Sequence, residues 1–227
     1  IESIEILKGP AAAALYGTAA ASGVIQIRTK RGRPGGTRWT TYVEGGTQKE
    51  VTDYPANFSQ IGIRLSDSAR VTGCTVDAQV RRVCAPKPDS LARWNPLEQA
   101  SPFVTGSRTS MGLSISGGGE AANYFVSGDL DRDWGVLEPN KFKRVGLRAN
   151  LNGQLGSDLG IQVATNYVSS RLEFPQNDNN LLGVIGGALL GSAFDNPTSR
   201  GWLVGQTPEE VYNLDVREDV EGFLGSL

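Results

Sequence analysis

Residues 109–170 constrain the fold more than any other part of this chain. In 109–117, Met111, Leu113 and Ile115 alternate with Ser110, Gly112, Ser114 and Ser116. In 123–133, Tyr124, Val126 and Leu130 fall on one face, and Ser127, Asp129 and Asp131 on the other. In 142–155, Val145, Leu147, Ala149 and Leu151 oppose Arg144, Arg148, Asn150, Asn152 and Gln154. In 159–170, Ile161, Val163 and Tyr167 oppose Gln162, Ala164 and Asn166. A period of two puts alternate side chains on opposite faces of a strand, whereas a helix repeats at 3.6. The short connections at 118–122 and 156–158 require consecutive strands to run antiparallel as neighbours. The expected unit is therefore a four-stranded meander with one aliphatic and one polar face. A soluble sandwich and the wall of a membrane barrel both meet that description.

Composition narrows the choice from several sides. The chain has 227 residues, enough for a sizeable core, and a formal net charge of −2, which carries no footprint for nucleic acid. Its 29 glycines and 39% hydrophobic residues suit a β protein with many turns. No apolar run approaches the roughly 20 residues of a membrane helix, but barrel strands leave a much weaker hydropathy signal. Histidine is absent, which excludes histidine-based triads and histidine-containing metal sites.

The run Asp129, Asp131 and Asp133 invites a calcium reading. The positions that an EF-hand loop would fill with glycine and glutamate instead hold Trp134 and Asn140. On a strand these aspartates share one face, and nothing fixes them, or Glu138, as a glycosidase pair. No catalytic residue, metal or cofactor is expected. Cys74 and Cys84 lie in a polar segment, either as two thiols or, in an oxidising compartment, as a local disulfide pinning a loop.

The flanks are less regular. Residues 37–49 read as a further strand, with Trp39, Thr41 and Val43 on one face. Residues 50–106 have no sustained period and contain Pro55, Pro86, Pro88, Pro96 and Pro102, so they read as a long loop. From 173 a second long loop is expected, with a short glycine-rich helix after Asn177, Asp178, Asn179 and Asn180. Thr207, Pro208 and Glu210 form a capping box, after which 212–224 reads as a helical continuation.

The opening stretch IESIEILKGPAAAALYGTAAASGVIQIRTKRG reads as strand, short helix, glycine turn and strand. Pro10 suits a first helical position, and Gly17 a left-handed helix end. This stretch resembles the closing segment of the plug domain of TonB-dependent outer-membrane receptors, nearest to the SusC/RagA branch. The resemblance is carried by Lys8, Gly9, Pro10, Leu15, Tyr16, Gly17, Gly23 and Thr29. The phrase SISGGGEAANYFVSGDLDRDWGVLEPNKFKRVGLRANLNGQL resembles early barrel strands of the same branch.

The resemblance implies a mainly β fold, namely a partial transmembrane antiparallel β-barrel preceded by the α+β end of a plug. About five strands would be present of the roughly 22 in such transporters. Residues 1–32 would end the plug, 33–36 would link, and 37–227 would begin the barrel with outer loops at 50–106 and 173–227. Asp129, Asp131, Arg144, Arg148, Asn150 and Asn152 would face the lumen. The chain would be a fragment of a bacterial outer-membrane receptor for a nutrient such as an oligosaccharide or peptide, and not an enzyme. Its partners would be the TonB complex, through a segment preceding Ile1, a SusD-like lipoprotein lid, and outer-membrane lipid. The alternative is a non-transporting β protein, either an adhesin-like sandwich or a structural barrel.

Overall fold

The computed structural model describes residues 1–8, 10–20, 22–175, 180–194, 197–203, 207–212 and 216–226. Among them the chain is mostly strand, and no helix is long and apolar enough to cross a membrane. Gly9, Asn177, Asp178 and Asn179, singled out in the sequence, lie outside the described residues.

The chain opens with β1 (Ser3–Leu7), α1 (Pro10–Tyr16) and β2 (Val24–Arg28). The two strands pair antiparallel, with Ile4 opposite Ile27 and Ile6 opposite Ile25. Gly17 closes the helix at φ +83°, a conformation that costs glycine little.

The principal sheet has six strands in the order β11-β10-β9-β8-β7-β3. These are β3 (Gly35–Gln48), β7 (Gly106–Gly118), β8 (Ala122–Trp134), β9 (Lys141–Leu155), β10 (Leu159–Phe174) and β11 (Val216–Ser226). The expected meander is present, and each neighbouring pair is antiparallel. The expectations for 173–227 need correction. Val216–Ser226 is not a helical continuation but a sixth strand, paired with β10 along all 11 of its residues. An edge as long as that of β10 satisfies partner backbone groups whatever side chains the partner carries, and this outweighs a weak helical pattern.

Residues 50–106 also hold more structure than their lack of period suggests. They contain β4 (Asn57–Arg64), β5 (Arg70–Thr72), α2 (Val76–Val80), β6 (Cys84–Trp94) and α3 (Pro96–Gln99). The strands form a small sheet in the order β5-β4-β6, so Pro86 and Pro88 sit on an edge strand, where proline is tolerated. Cys74 and Cys84 are joined by a disulfide with Cα atoms 6.0 Å apart. Gly62 lies against it, and a Cβ there would come within 2.7 Å of the Cys74 sulfur. Removing the bridge by Cys74→Ala and Cys84→Ala is expected to destabilise this small sheet by up to roughly 3 kcal/mol. The measurement is its amide exchange, and unchanged exchange would contradict the expectation.

The one hydrophobic core cluster of the described residues sits in the connections, not on the principal sheet. Leu97, Leu137, Val184, Ala188 and Trp202 are buried together, with Tyr54, Phe103, Ile185 and Tyr212 packed against them. Val184 and Ala188 come from α4 (Val184–Leu189). Tyr212 follows α5 (Pro208–Val211), at whose start the Thr207 N–H donates to the Glu210 carboxylate at 2.9 Å. Polar ties reinforce the cluster: Asn57 donates to the Ala188 carbonyl at 2.8 Å, and Trp94 Nε1 to the Arg200 carbonyl at 2.9 Å.

Tyr212 donates its hydroxyl to the Pro102 carbonyl at 2.9 Å, and burial, aided by Glu138 and Glu209, pushes its phenol well above the ordinary tyrosine range. A raised folded-state value means that the stabilising contribution is complete below about pH 10, the unfolded value, and is lost as pH rises beyond it. Tyr212→Phe is expected to cost about 1 kcal/mol at neutral pH and to remove part of the alkaline sensitivity. Tryptophan fluorescence through an alkaline titration checks both effects.

Candidate functional site

The register of the principal sheet sorts its side chains into rows, because directly paired residues share a face. One set of rows is polar. Glu44, Ser110, Asp131, Arg144 and Ser170 form one row, and Thr40, Ser114, Ser127, Arg148 and Asn166 another. Arg38, Ser116, Phe125, Asn150 and Ala164 form a third.

Within this face Asp131 accepts from Ser110 Oγ at 2.5 Å and from Arg144 at 3.2 Å, while Asp129 lies 3.6 Å from Arg144. Asp133, further along the same strand, pairs with Arg108 at 3.6 Å. The aspartate run is thus partly offset, three carboxylates facing two arginines on the adjacent strands. No group of three or more metal-ligating side chains occurs among the described residues.

The segment after β2 lies across the other end of this face as a strap. Arg148 donates to the Thr29 hydroxyl, and Asn150 Nδ2 donates to the Lys30 carbonyl at 2.9 Å. Phe125 is buried beneath it, and Arg33 pairs back to Glu2. Gly32 allows the closest approach. A Cβ there would stand 2.4 Å from the Tyr124 nitrogen and 2.6 Å from its carbonyl carbon and oxygen. A cavity of about 520 Å³ opens beside the strap, lined by Lys30, Arg31, Arg33, Arg38, Ser116 and Phe125.

Of the six residues that sequence alternation puts on the polar face, Arg148 and Asn150 hold the strap. Asp129, Asp131 and Arg144 form the ion-paired group, and Asn152 donates to Asn123 at 2.8 Å. Of the plug-like residues, Thr29 meets the sheet through Arg148, while Leu15 and Tyr16 are exposed. Sequence reasoning did not find Gly32, Phe125, Ser110 or Arg108 as members of this site. For Ser110 and Arg108 the face parity was available, but the cross-strand register was not.

The opposite face is aliphatic and open. Val43, Met111, Leu130 and Val145 form one row, which ends in Ser169 and Glu221 on β10 and β11, and Thr41, Leu113, Gly128, Leu147 and Tyr167 form the next. Trp39, Ile115, Val126, Ala149 and Thr165 follow. Leu147 is 53% exposed, and Leu113 and Val126 are 47% exposed. A soluble sheet covers its apolar face and wets its polar one. Here the polar face carries the strap, and no described element packs over the aliphatic one.

A second cavity, of about 470 Å³, lies where β3 meets the connections, lined by Glu50, Asp53, Tyr54, Asn95, Glu98 and Phe103. Tyr54 and Phe103 stack with ring centroids 5.8 Å apart. The Thr52 hydroxyl and N–H hold the Glu50 carboxyl below its usual range. This lining suits a polar ligand with an apolar face.

No protein-family model matches the chain. It is similar to TonB-dependent receptor P39 of Formosa agariphila, 30% identical over 149 residues, which are 64% of this chain and 14% of that protein. It is also 27% identical to TonB-dependent receptor SusC of Bacteroides thetaiotaomicron over 191 residues, 83% of this chain and 17% of that one. TonB-dependent receptor P3 of Formosa agariphila is 26% identical over 152 residues, 67% and 14% of the respective chains. The chain thus spans well under a fifth of the length of these curated relatives. These similarities, partial and at low identity, support the TonB-dependent receptor family.

Proposed function

We propose that this chain forms the end of the plug and the first wall strands of a TonB-dependent, SusC-like outer-membrane receptor that imports a nutrient such as an oligosaccharide or peptide. The single observation that carries this reading is the inside-out sheet, with its aliphatic face open and its polar face holding the strap. Val145, Leu147, Leu151 and Leu155 on β9 are 39%, 53%, 50% and 60% exposed. The ten-residue step from Val145 to Leu155, at about 3.4 Å per residue and a tilt near 40°, gives a band roughly 26 Å tall. That is close to the apolar height of an outer-membrane barrel, about 25 Å.

In this reading 1–32 belongs to the plug, 33–36 links, and 37–227 belongs to the barrel wall and its outer connections. Asp129, Asp131, Arg144, Arg148, Asn150 and Asn152 face the lumen. The TonB complex acts on plug segments other than this one, and a SusD-like lipoprotein closes over the outer connections. The cavity at Tyr54 and Phe103 lies on that outer side, where cargo would first arrive.

The strap explains how such a plug is both held and released. The Asn150 bond is a neutral hydrogen bond, contributing about 1 kcal/mol, and the Arg148 bond, from a charged donor, contributes about 2 kcal/mol. The exposed pair of Arg33 and Glu2 adds at most about 1 kcal/mol. A tie of this size survives thermal motion yet yields to a mechanical pull, whereas a dry apolar interface would not. Fractionation of cells making the whole product tests the reading. Recovery in the outer membrane as a heat-modifiable barrel is expected, and recovery in the soluble fraction would overturn it in favour of a sandwich.

A further inference from the structure

The upper rim of the aliphatic face carries a charge pattern that the transport reading does not use. One row beyond Met111, Leu130 and Val145, the register aligns Thr109, Arg132, Lys143, Arg171 and Asp219. The next row aligns Ser107, Trp134, Lys141, Glu173 and Arg217. Like charges directly opposite each other on neighbouring strands repel. Three cations nonetheless follow in register across β8, β9 and β10, all exposed.

Asp219 offsets Arg171 at 2.7 Å and is shared with Arg217 at 3.1 Å. Among the described residues, Arg132 and Lys143 have no ion-pair partner. The two rows hold five cations (Arg132, Lys143, Arg171, Lys141 and Arg217) against two carboxylates (Asp219 and Glu173). The opposite rim of the same face, at Ala122, Gly153, Leu155 and Leu159, carries no cation. Trp134, 54% exposed, stands at the level of the charged rows, where an amphipathic ring marks a lipid–water boundary.

We infer that this rim binds the phosphate groups of membrane-lipid headgroups in the leaflet on the side of the connections. The inference rests on the barrel reading above. An aliphatic band in lipid puts headgroups at the height of the first charged row, about 7 Å along the strand from the last aliphatic one. Phosphate supplies the anion that Arg132 and Lys143 lack, and an arginine fork can grip it through two N–H groups. The aliphatic face of β7, β8 and β9, in contact with lipid below this rim, is continuous with Arg132 and Lys143, so the occupant is lipid and not a soluble anion.

The test uses the whole receptor, purified from its membrane in an uncharged detergent, after fractionation has established where it resides. Lipid A and its dephosphorylated form are titrated in, and retained lipid is read by native mass spectrometry. The expected result is retention of the phosphorylated form, weakened about 25-fold in the double variant Arg132→Gln, Lys143→Gln, taking about fivefold for each cation. Heat-modifiable mobility reports whether that variant is folded, and if it is not, Lys143→Gln alone is expected to weaken retention about fivefold. Equal retention of both lipids, or equal behaviour of wild type and variant, overturns the inference while leaving the barrel reading intact. Displacement of lipid A by millimolar inorganic phosphate would mark a free-anion site and overturn it too. So would an acidic protein held at this rim in place of lipid.

Discussion

Replacing Gly32 by valine will lift the strap off the sheet. The added Cβ would stand 2.4–2.6 Å from three backbone atoms of Tyr124, near the start of β8 and paired there with Gly117 and Leu151, and a paired strand cannot retreat as a side-chain tip can. The strap must move instead, surrendering the Thr29 bond to Arg148 and the Lys30 bond to Asn150. The expected cost is about 3 kcal/mol, at the upper end of ordinary overpacking. Gly36→Val is the matched control, since a Cβ there meets open space and its strand already favours a β-branched residue. Limited trypsin digestion of the membrane-embedded protein reads the outcome at Lys30 and Arg31, since Pro34 blocks cleavage after Arg33. Cleavage should become fast in the Gly32 variant and stay slow in the Gly36 variant. Equal protection in both would show that the strap is not seated as described.

The second large effect concerns the open aliphatic face. Leu147 sits in its central row, between Gly128 and Tyr167, with 53% of its surface exposed. In water, Leu147→Arg at so exposed a site should change stability by no more than about 0.5 kcal/mol. In lipid the same change should cost about 2–4 kcal/mol, because the guanidinium is carried into the hydrocarbon. Gln162→Arg, at an exposed position of the polar face opposite the neutral Asn152, should be tolerated in either case. The yield of heat-modifiable barrel distinguishes the two environments. Loss of assembly for the Leu147 variant alone is expected, and equal yields would favour a water-exposed sheet.

Much of the principal sheet was legible because side-chain parity survives folding unchanged. Once Val145, Leu147 and Leu151 alternate with Arg144, Arg148 and Asn150, any antiparallel pairing must put the two sets on opposite faces. The short turns then make the four strands neighbours, and the observed registers follow. The strand Val216–Ser226 was not legible. Its residues do not sort cleanly, since Val220 and Leu224 fall with the polar rows while Phe223 falls with the aliphatic ones. It is a strand because the exposed edge of β10 needs backbone partners, a demand that belongs to the sheet and leaves no mark in the segment itself. The small sheet within 50–106 was hidden for a similar reason. Its prolines break the pattern, and only an edge position makes them acceptable.

For the candidate site the division is the same. The sequence by itself determined which side chains could share a face, the helix end at Gly17, and the absence of histidine chemistry. These depend on local backbone geometry and residue type alone. Only the tertiary structure decided that Arg144 stands between Asp129 and Asp131, that Arg148 and Asn150 hold the strap, and that Gly32 must lack a side chain. Each of these depends on register or close approach between segments more than ten residues apart, and the sequence pattern sets the face of a residue without setting its opposite number.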